Sequence, residues 1–94
     1  MNSFMQQMAV KKLKKISVDE LLNYSKQYEI PLTKKQAQQI TSYLGKTQLD
    51  PFEEKDRLQM FKKLAQLTDI KTAQKTQRLF SKLIKEYGVE SWFK

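Results

Sequence analysis

Two helix-start signals lie close together in residues 17–45, and they constrain the fold of this chain more than any other feature. Ser17 is followed three residues later by Glu20, and Thr33 is followed three residues later by Gln36. Each pair is a capping box: the hydroxyl accepts a hydrogen bond from a free N–H of the first turn, and the longer side chain reaches back to the N–H of the hydroxyl residue. The segment therefore predicts two successive helix starts.

Proline and glycine divide the same segment. Pro31 has no N–H and disfavours the α conformation at Ile30, so the first of the two helices must end before this point. Ile30 and Leu32 flank the proline and are expected to pin the loop between the helices. Gly45 is predicted to end the second helix, because glycine readily adopts a positive φ. The prediction is a helix, an extended loop and a helix.

Helical periodicity extends over the rest of the chain. Asp50 and Pro51 are predicted to open a fourth helix, while Asp69 and Gly88 are predicted to cap and end the last one. We therefore predict an all-α fold, a small bundle of five helices without a strand, near residues 3–15, 18–28, 34–44, 51–67 and 70–87. The expected core is Leu21, Leu22, Ile40, Leu44, Phe61, Leu64, Phe80 and Ile84. On the fourth helix the buried stripe is expected to be Leu58, Phe61, Leu64, Ala65 and Thr68, with Met60 near its edge.

Composition limits the classes of function. The 94 residues predict one domain, residues 1–94, and the formal charge of +8 favours acidic partners. The chain has neither Cys nor His, which excludes thiolate chemistry and leaves serine or threonine nucleophiles without their usual base. No apolar run is long enough to cross a bilayer and no signal peptide is recognisable, so a cytoplasmic location is expected.

Enzymatic activity is therefore not expected, and neither is a cofactor or a small-molecule substrate. Gly45 and Gly88 stand too far apart in the sequence to form a glycine-rich phosphate loop. Glu53, Glu54 and Asp56 are interpreted as helix-start carboxylates rather than metal ligands, because no His or Cys joins them. No metal site is predicted.

A row of basic residues marks the last helix. It consists of Lys71, Lys75, Arg78, Lys82 and Lys85, and we call it the basic row. At ~100° per residue it occupies an arc of about 80° and extends roughly 21 Å. No acidic residue interrupts it between Asp69 and Glu86, whereas a solvated face usually mixes signs. Two interpretations stay open: a solvated face, or a binding site for an anionic partner that Lys34 and Lys35 would join.

Apolar residues near the two ends of the chain are candidates for protein contact. Met5 and Met8 lie on the first helix, and Trp92 and Phe93 follow Gly88. Methionine and aromatic side chains are common at contact surfaces. The sequence therefore favours a protein-interaction or assembly module, with a protein partner or a second copy of the chain. The alternative is a non-specific nucleic-acid-binding protein that uses the basic row, and a membrane-surface role ranks third.

Several short motifs resemble a known family. They are Asp-Glu-Leu-Leu, Tyr-Ser-Lys-Gln-Tyr, Ile-Pro-Leu-Thr and Lys-Gln-Ala-Gln-Gln-Ile in residues 17–44, with the later segments 54–58 and 68–73. The chain resembles the YqfT-like proteins of Bacillus-type bacteria, a family without an assigned activity, cofactor or catalytic residue. Residues 17–45 are also similar to the SAP-type DNA-binding modules, in which Lys34 and Lys35 match the basic start of the second helix. Thr33 replaces the small residue or glycine usual before that start.

Overall fold

The structure is a computed structural model that describes the backbone of residues 3–92 and the side chains of residues 7–87. It is an all-α bundle, and no strand occurs within residues 3–92. The helices are α1 (Ser3–Lys14), α2 (Val18–Gln27), α3 (Lys34–Lys46), α4 (Glu54–Leu67) and α5 (Ile70–Trp92). The predicted fold class is confirmed, and the helix boundaries differ most from the prediction at the start of α4 and the end of α5.

The helices enclose one hydrophobic core. α5 packs along both α1 and α4, α3 also contacts these two helices, and α2 lies against α3. The buried apolar side chains are Ala9, Leu13, Ile16, Leu21, Ile30, Ala37, Ile40, Leu44, Met60, Leu64, Ala73, Leu79, Phe80, Leu83 and Ile84. Leu22 and Phe61, which were predicted in the core, are half-buried and pack against it. Among the described residues, no helix has the length and the apolar character needed to span a membrane.

Both predicted capping boxes are present. The Glu20 N–H donates to Ser17 Oγ at 3.1 Å, and the Ser17 N–H donates to Glu20 Oε1 at 3.0 Å. At the start of α3 the corresponding hydrogen bonds between Thr33 and Gln36 are both 3.0 Å long. These bonds satisfy backbone donors that a helix start otherwise leaves free.

The end of α2 is a left-handed turn at Glu29, which has a φ of 55°. The Ile30 N–H donates to Ser25 O at 2.7 Å and the Glu29 N–H donates to Lys26 O at 3.4 Å. These are the two hydrogen bonds of a Schellman motif, whose left-handed position is usually glycine. Ile30 is buried directly after it, so the turn positions the loop as predicted, but through a glutamate that the sequence did not single out.

Neither glycine ends a helix, which corrects two predictions. Gly45 lies inside α3, which continues to Lys46 and is followed by Thr47 with a φ of −71°. The Thr47 N–H donates to Tyr43 O at 2.9 Å, so the helix ends without a positive φ. α5 continues through Gly88, since one glycine inside a long helix costs only about 1 kcal/mol.

The start of α4 also differs from the prediction, because Asp50 and Pro51 form a turn that precedes the helix. The Phe52 N–H donates to Asp50 Oδ1 at 2.9 Å, and the Asp50 N–H donates to Asp56 Oδ2 at 2.8 Å. Asp50 is therefore occupied within the turn, and Glu53 becomes the N-cap residue without a side-chain capping bond. Helix α4 consequently begins at Glu54 rather than at Pro51.

The buried face of α4 is rotated from the predicted stripe. Met60 and Leu64 are buried, whereas Leu58 is 56% exposed. Residues two apart on a helix point about 200° apart, so Leu58 cannot share the face that Met60 defines. Phe61 and Ala65 lie at the edge of this face and are half-buried. An apolar edge of α4 is thus left open to solvent.

Candidate functional site

The basic row lies on the outer face of α5. Lys71, Arg78, Lys82 and Lys85 are exposed, and Lys75 is half-buried. The opposite face contributes to the core, through Thr72, Ala73, Thr76, Leu79, Phe80, Leu83 and Ile84. The start of the helix is fixed by Asp69, as predicted: its Oδ1 accepts from the Thr72 N–H at 2.7 Å. The helix therefore presents its cations together and away from the core.

A groove between α4 and α5 runs beside the basic row, and we call it the α4–α5 groove. It has a volume of about 460 Å³. Its lining residues are Phe61 of α4 and Gln74, Gln77, Arg78, Ser81, Lys82 and Lys85 of α5. Three cations of the basic row thus border a space whose opposite wall contains an aromatic ring. This juxtaposition of apolar and basic walls is the main feature of the candidate site.

Although they do not line the groove, further apolar side chains lie along α4 on both sides of Phe61. Leu58 precedes it by three residues and Ala65 follows it by four, which is the spacing of side chains on one helical face. Leu58 is the most exposed of the three. Sequence reasoning assigned this stripe to the core and so missed it as a surface. The exposure was not readable from periodicity, because an apolar stripe looks the same whether or not a neighbouring helix covers all of it.

Gln77 lies between the two walls and has an unusual hydrogen-bonding state. Its Nε2 donates to Arg57 O of α4 at 3.2 Å. A carbonyl oxygen can only accept, so the amide nitrogen faces Arg57 O and Gln77 Oε1 points elsewhere. That Oε1 is buried and accepts no hydrogen bond from the described part of the chain. A buried acceptor without a donor costs about 1–3 kcal/mol, so this oxygen lowers the stability of the chain.

A second groove lies on the other side of the basic row, and we call it the Tyr28 groove. It has a volume of about 330 Å³ and is lined by Tyr28, Glu29, Ile30, Lys75, Arg78, Leu79 and Lys82. Lys75 Nζ donates to Glu29 O at 3.4 Å, and Lys82 Nζ lies 4.7 Å from the centroid of the Tyr28 ring. A hydrogen bond to the Tyr28 side chain is the main cause of the raised pKa of Lys82, and charge attraction to the same side chain raises this pKa further. The left-handed turn after α2 therefore holds two lysines of the row.

The other candidate cations lie apart from these two grooves. Lys34 and Lys35 are exposed in the first turn of α3 and line neither groove. Lys11 and Lys14 of α1 border a separate groove with Gln48 and Leu49. The described lysines of α1, α3 and α5 therefore do not converge on one groove.

The predicted protein-contact residues are only partly described. Met8 is half-buried on α1. The side chains of Met5 and Trp92, and the whole of Phe93, lie outside the described residues. Their proposed contact role stays a prediction.

The acidic residues considered as metal ligands have other roles. Asp56 Oδ2 accepts from the Asp50 N–H at 2.8 Å, while Glu53 and Glu54 are exposed at the start of α4. Within the part of the chain that the structure describes, no three acidic side chains are grouped as they would need to be to hold a metal ion. The site can therefore offer cations, amide groups, one hydroxyl and apolar surface to a partner.

Comparisons with known proteins place the chain in a family. A family model described as "Protein of unknown function (DUF2624)" matches residues 1–84. The chain is also 35% identical, over 75 residues, to "Uncharacterized protein YqfT" of Bacillus subtilis (strain 168), an alignment that covers 80% of this chain and 89% of that protein. No solved structure gives a significant match. The resemblance to YqfT-like proteins is thereby confirmed, and the chain belongs to the DUF2624 family of proteins of unknown function.

Proposed function

We propose that this chain is a non-enzymatic protein-interaction module and that the α4–α5 groove is its partner-binding surface. The observation that carries the proposal is the position of Phe61 opposite Arg78, Lys82 and Lys85 across a groove of about 460 Å³. Protein interfaces combine an apolar centre with a polar rim, and aromatic and arginine side chains contribute most to their affinity. Both components are present in this groove.

The distribution of charge favours a protein partner over a nucleic acid. The lysines of α1 border a groove of their own, so a nucleic acid on the basic row would not engage them. The basic row instead borders the half-buried Phe61 across the groove, and Leu58, three residues before Phe61 on α4, is 56% exposed. Phosphates would leave these apolar side chains in water, while a protein partner would cover them and gain their burial.

The same groove gives little support to catalysis. Gln74, Gln77 and Ser81 line it without a histidine, since the chain has none. A nucleophilic lysine needs a lowered pKa, whereas the Tyr28 side chain raises the pKa of Lys82. We therefore assign binding rather than chemistry to this surface. The cytoplasmic location expected from the sequence stays a prediction.

Site-specific photo-crosslinking in living cells tests the proposal. A photoreactive residue at position 58 stands at the open edge of α4, and the same residue at position 59 is the matched control. Gln59 is exposed too, but it points about 100° away on the same helix. We expect a discrete protein adduct from position 58 that is lost when Arg78 and Lys85 are both replaced by Gln. Equal adducts from both positions, or adducts that persist in the double variant, would contradict the proposal.

The second candidate is non-specific nucleic-acid binding through the basic row. The observation in its favour is that no acidic residue interrupts α5 from Ile70 to Lys85, although opposite charges would stabilise an exposed helix. Affinity for duplex DNA should then fall with salt at a log–log slope of about −0.9 per phosphate contact, roughly −4 for the whole row. Replacing Lys75, Arg78 and Lys82 by Gln should remove about three contacts from that slope. An unchanged slope, or no binding at low salt, would reject this candidate.

A further inference from the structure

We infer that the α4–α5 groove takes an acidic amphipathic helix of a partner protein. The inference rests on the proposed function and specifies the chemistry of its partner. Two properties carry it: the matching lengths of an apolar row on α4 and a basic row on α5, and their separation on the two sides of the groove.

The rows of side chains beside the groove have matching lengths. On α4 the apolar row runs from Leu58 to Ala65 through Phe61, which lines the groove, and on α5 the cations run from Arg78 to Lys85. Both pairs of ends are seven residues apart, so each row extends over about 10 Å, or two helical turns. Grooves between paired helices commonly hold a third helix, whose anchors recur at steps of three and four residues. The steps from Leu58 to Phe61 and from Phe61 to Ala65 are three and four residues, which matches the spacing of such anchors. The groove therefore fits a helix of two to three turns.

The charge of the groove determines the composition of that helix. Its apolar side chains would cover Leu58 and Phe61, and its flank towards α5 would meet Arg78, Lys82 and Lys85. Glutamate or aspartate on that flank would pair with these cations, and lysine there would be repelled. The partner segment is therefore apolar on one side and acidic on the adjacent side.

A second copy of this chain is a poor occupant. In a symmetric dimer the same surface faces itself, so the cations of one groove would oppose those of the other. Each copy carries a formal charge of +8, which adds long-range repulsion. Charge complementarity thus favours a partner of opposite sign over self-association.

The test uses synthetic peptides and the full chain. The probe is a fluorescent helical peptide of about 14 residues, which is four turns, with leucines on one face and glutamates on the adjacent face. The control peptide has the same composition in scrambled order. Fluorescence anisotropy should show saturable binding of the probe. The scrambled peptide should bind at least about tenfold more weakly. Equal binding of the two peptides would overturn the inference, because attraction of charge alone would then suffice.

Four single variants locate the site on the chain. Arg78→Gln and Lys85→Gln remove charges that border the groove, and Leu58→Gln removes exposed apolar surface. Each should weaken binding by about fivefold or more. Lys71→Gln is the matched control, since Lys71 belongs to the same row but does not line the groove, and it should change affinity by less than about twofold. If Lys71→Gln weakened peptide binding as much as Arg78→Gln, the assignment of the binding site to this groove would be overturned.

The inference and the proposed function fail in distinguishable ways. If position 58 yields a protein adduct that depends on Arg78 and Lys85 but neither peptide binds, the interaction module stands and the acidic helix is wrong. If the peptides do not bind and duplex DNA of about 20 base pairs binds with a steep salt dependence, the basic row serves nucleic acid and both proposals are wrong. Circular dichroism of every variant confirms that the fold is retained.

Discussion

The Lys82 ammonium lies 4.7 Å from the centroid of the Tyr28 ring, and this contact joins the basic row of α5 to the end of α2. Nearby, Lys75 donates to the backbone oxygen of Glu29. The row is thus held in place by a turn whose geometry depends on one left-handed residue. Because two of its lysines are restrained before any partner binds, the ordering cost on binding is reduced.

The first prediction concerns the pKa of Lys82. Tyr28→Phe keeps the ring but removes the hydroxyl that raises this pKa, so the pKa should fall back towards its usual value of 10.5. A raised folded-state pKa contributes stability that is complete below pH 10.5 and is lost as the pH rises through the folded-state value. The variant should therefore lose less stability than the unmodified protein across that alkaline range. NMR titration of the Lys82 side chain measures the shift.

Tyr24→Phe is the control for this prediction, because Tyr24 is half-buried against the core rather than beside Lys82. It should leave the titration of Lys82 unaltered. If Tyr28→Phe and the control give the same curve, the hydroxyl of Tyr28 is not the cause of the raised pKa.

The second prediction compares two leucines of α4. Leu64 is 1% exposed and Leu58 is 56% exposed. Leu64→Ala should lower the free energy of unfolding by ~2–5 kcal/mol, because it leaves a cavity in the core. Leu58→Ala should change the free energy of unfolding by less than about 0.5 kcal/mol, because the Leu58 side chain mainly contacts water. Urea unfolding followed by circular dichroism measures both, and similar losses for the two variants would show that the assigned face of α4 is wrong.

The local signals of the sequence predicted most of this fold. The two capping boxes, the break at Pro31 and the cap at Asp69 are decided by residues close together in the chain, and each is present in the structure. The outward direction of the basic row also followed from periodicity, because cations seldom occupy a core. Residues that are close together in the chain decide these features, so a single sequence suffices to predict them.

The features that sequence reasoning missed depend on tertiary contacts. The exposure of Leu58 follows from how far α5 covers α4, which no local pattern records. The turn at Asp50 depends on its hydrogen bond from the backbone to Asp56, six residues away. The sequence predicts a positive φ at Gly45, at the end of α3, whereas the structure has one at Glu29, at the end of α2 and directly before the buried Ile30. The α4–α5 groove, which combines the first of these features with the basic row, was therefore not predictable as a site.

The third prediction concerns the strain at Glu29, whose φ is 55°. Residues with a Cβ lose about 1–2 kcal/mol in a left-handed conformation, and glycine does not. Glu29→Gly should therefore be more stable than Glu29→Ala by roughly 1 kcal/mol, because both variants lose the same carboxylate and only one keeps a Cβ. Thermal and urea unfolding of the two variants provide the comparison. An alanine variant as stable as the glycine variant would mean that the turn carries no strain.

The last prediction concerns Gln77, whose buried oxygen has no donor in the described chain. Gln77→Met removes this acceptor and also the hydrogen bond to Arg57 O, while it retains a side chain of similar length. An unpaired buried acceptor costs about 1–3 kcal/mol and an exposed hydrogen bond contributes about 0.5–1.5 kcal/mol, so the net effect should be a gain of about 1 kcal/mol in the free energy of unfolding. Gln74→Met is the control, since Gln74 is exposed in the same groove and its replacement should change stability by less than about 0.5 kcal/mol. A residue that lowers the stability of the free protein is typical of a surface shaped for a partner. If Gln77→Met instead lowered the free energy of unfolding by more than about 1 kcal/mol, this argument for the α4–α5 groove would be removed.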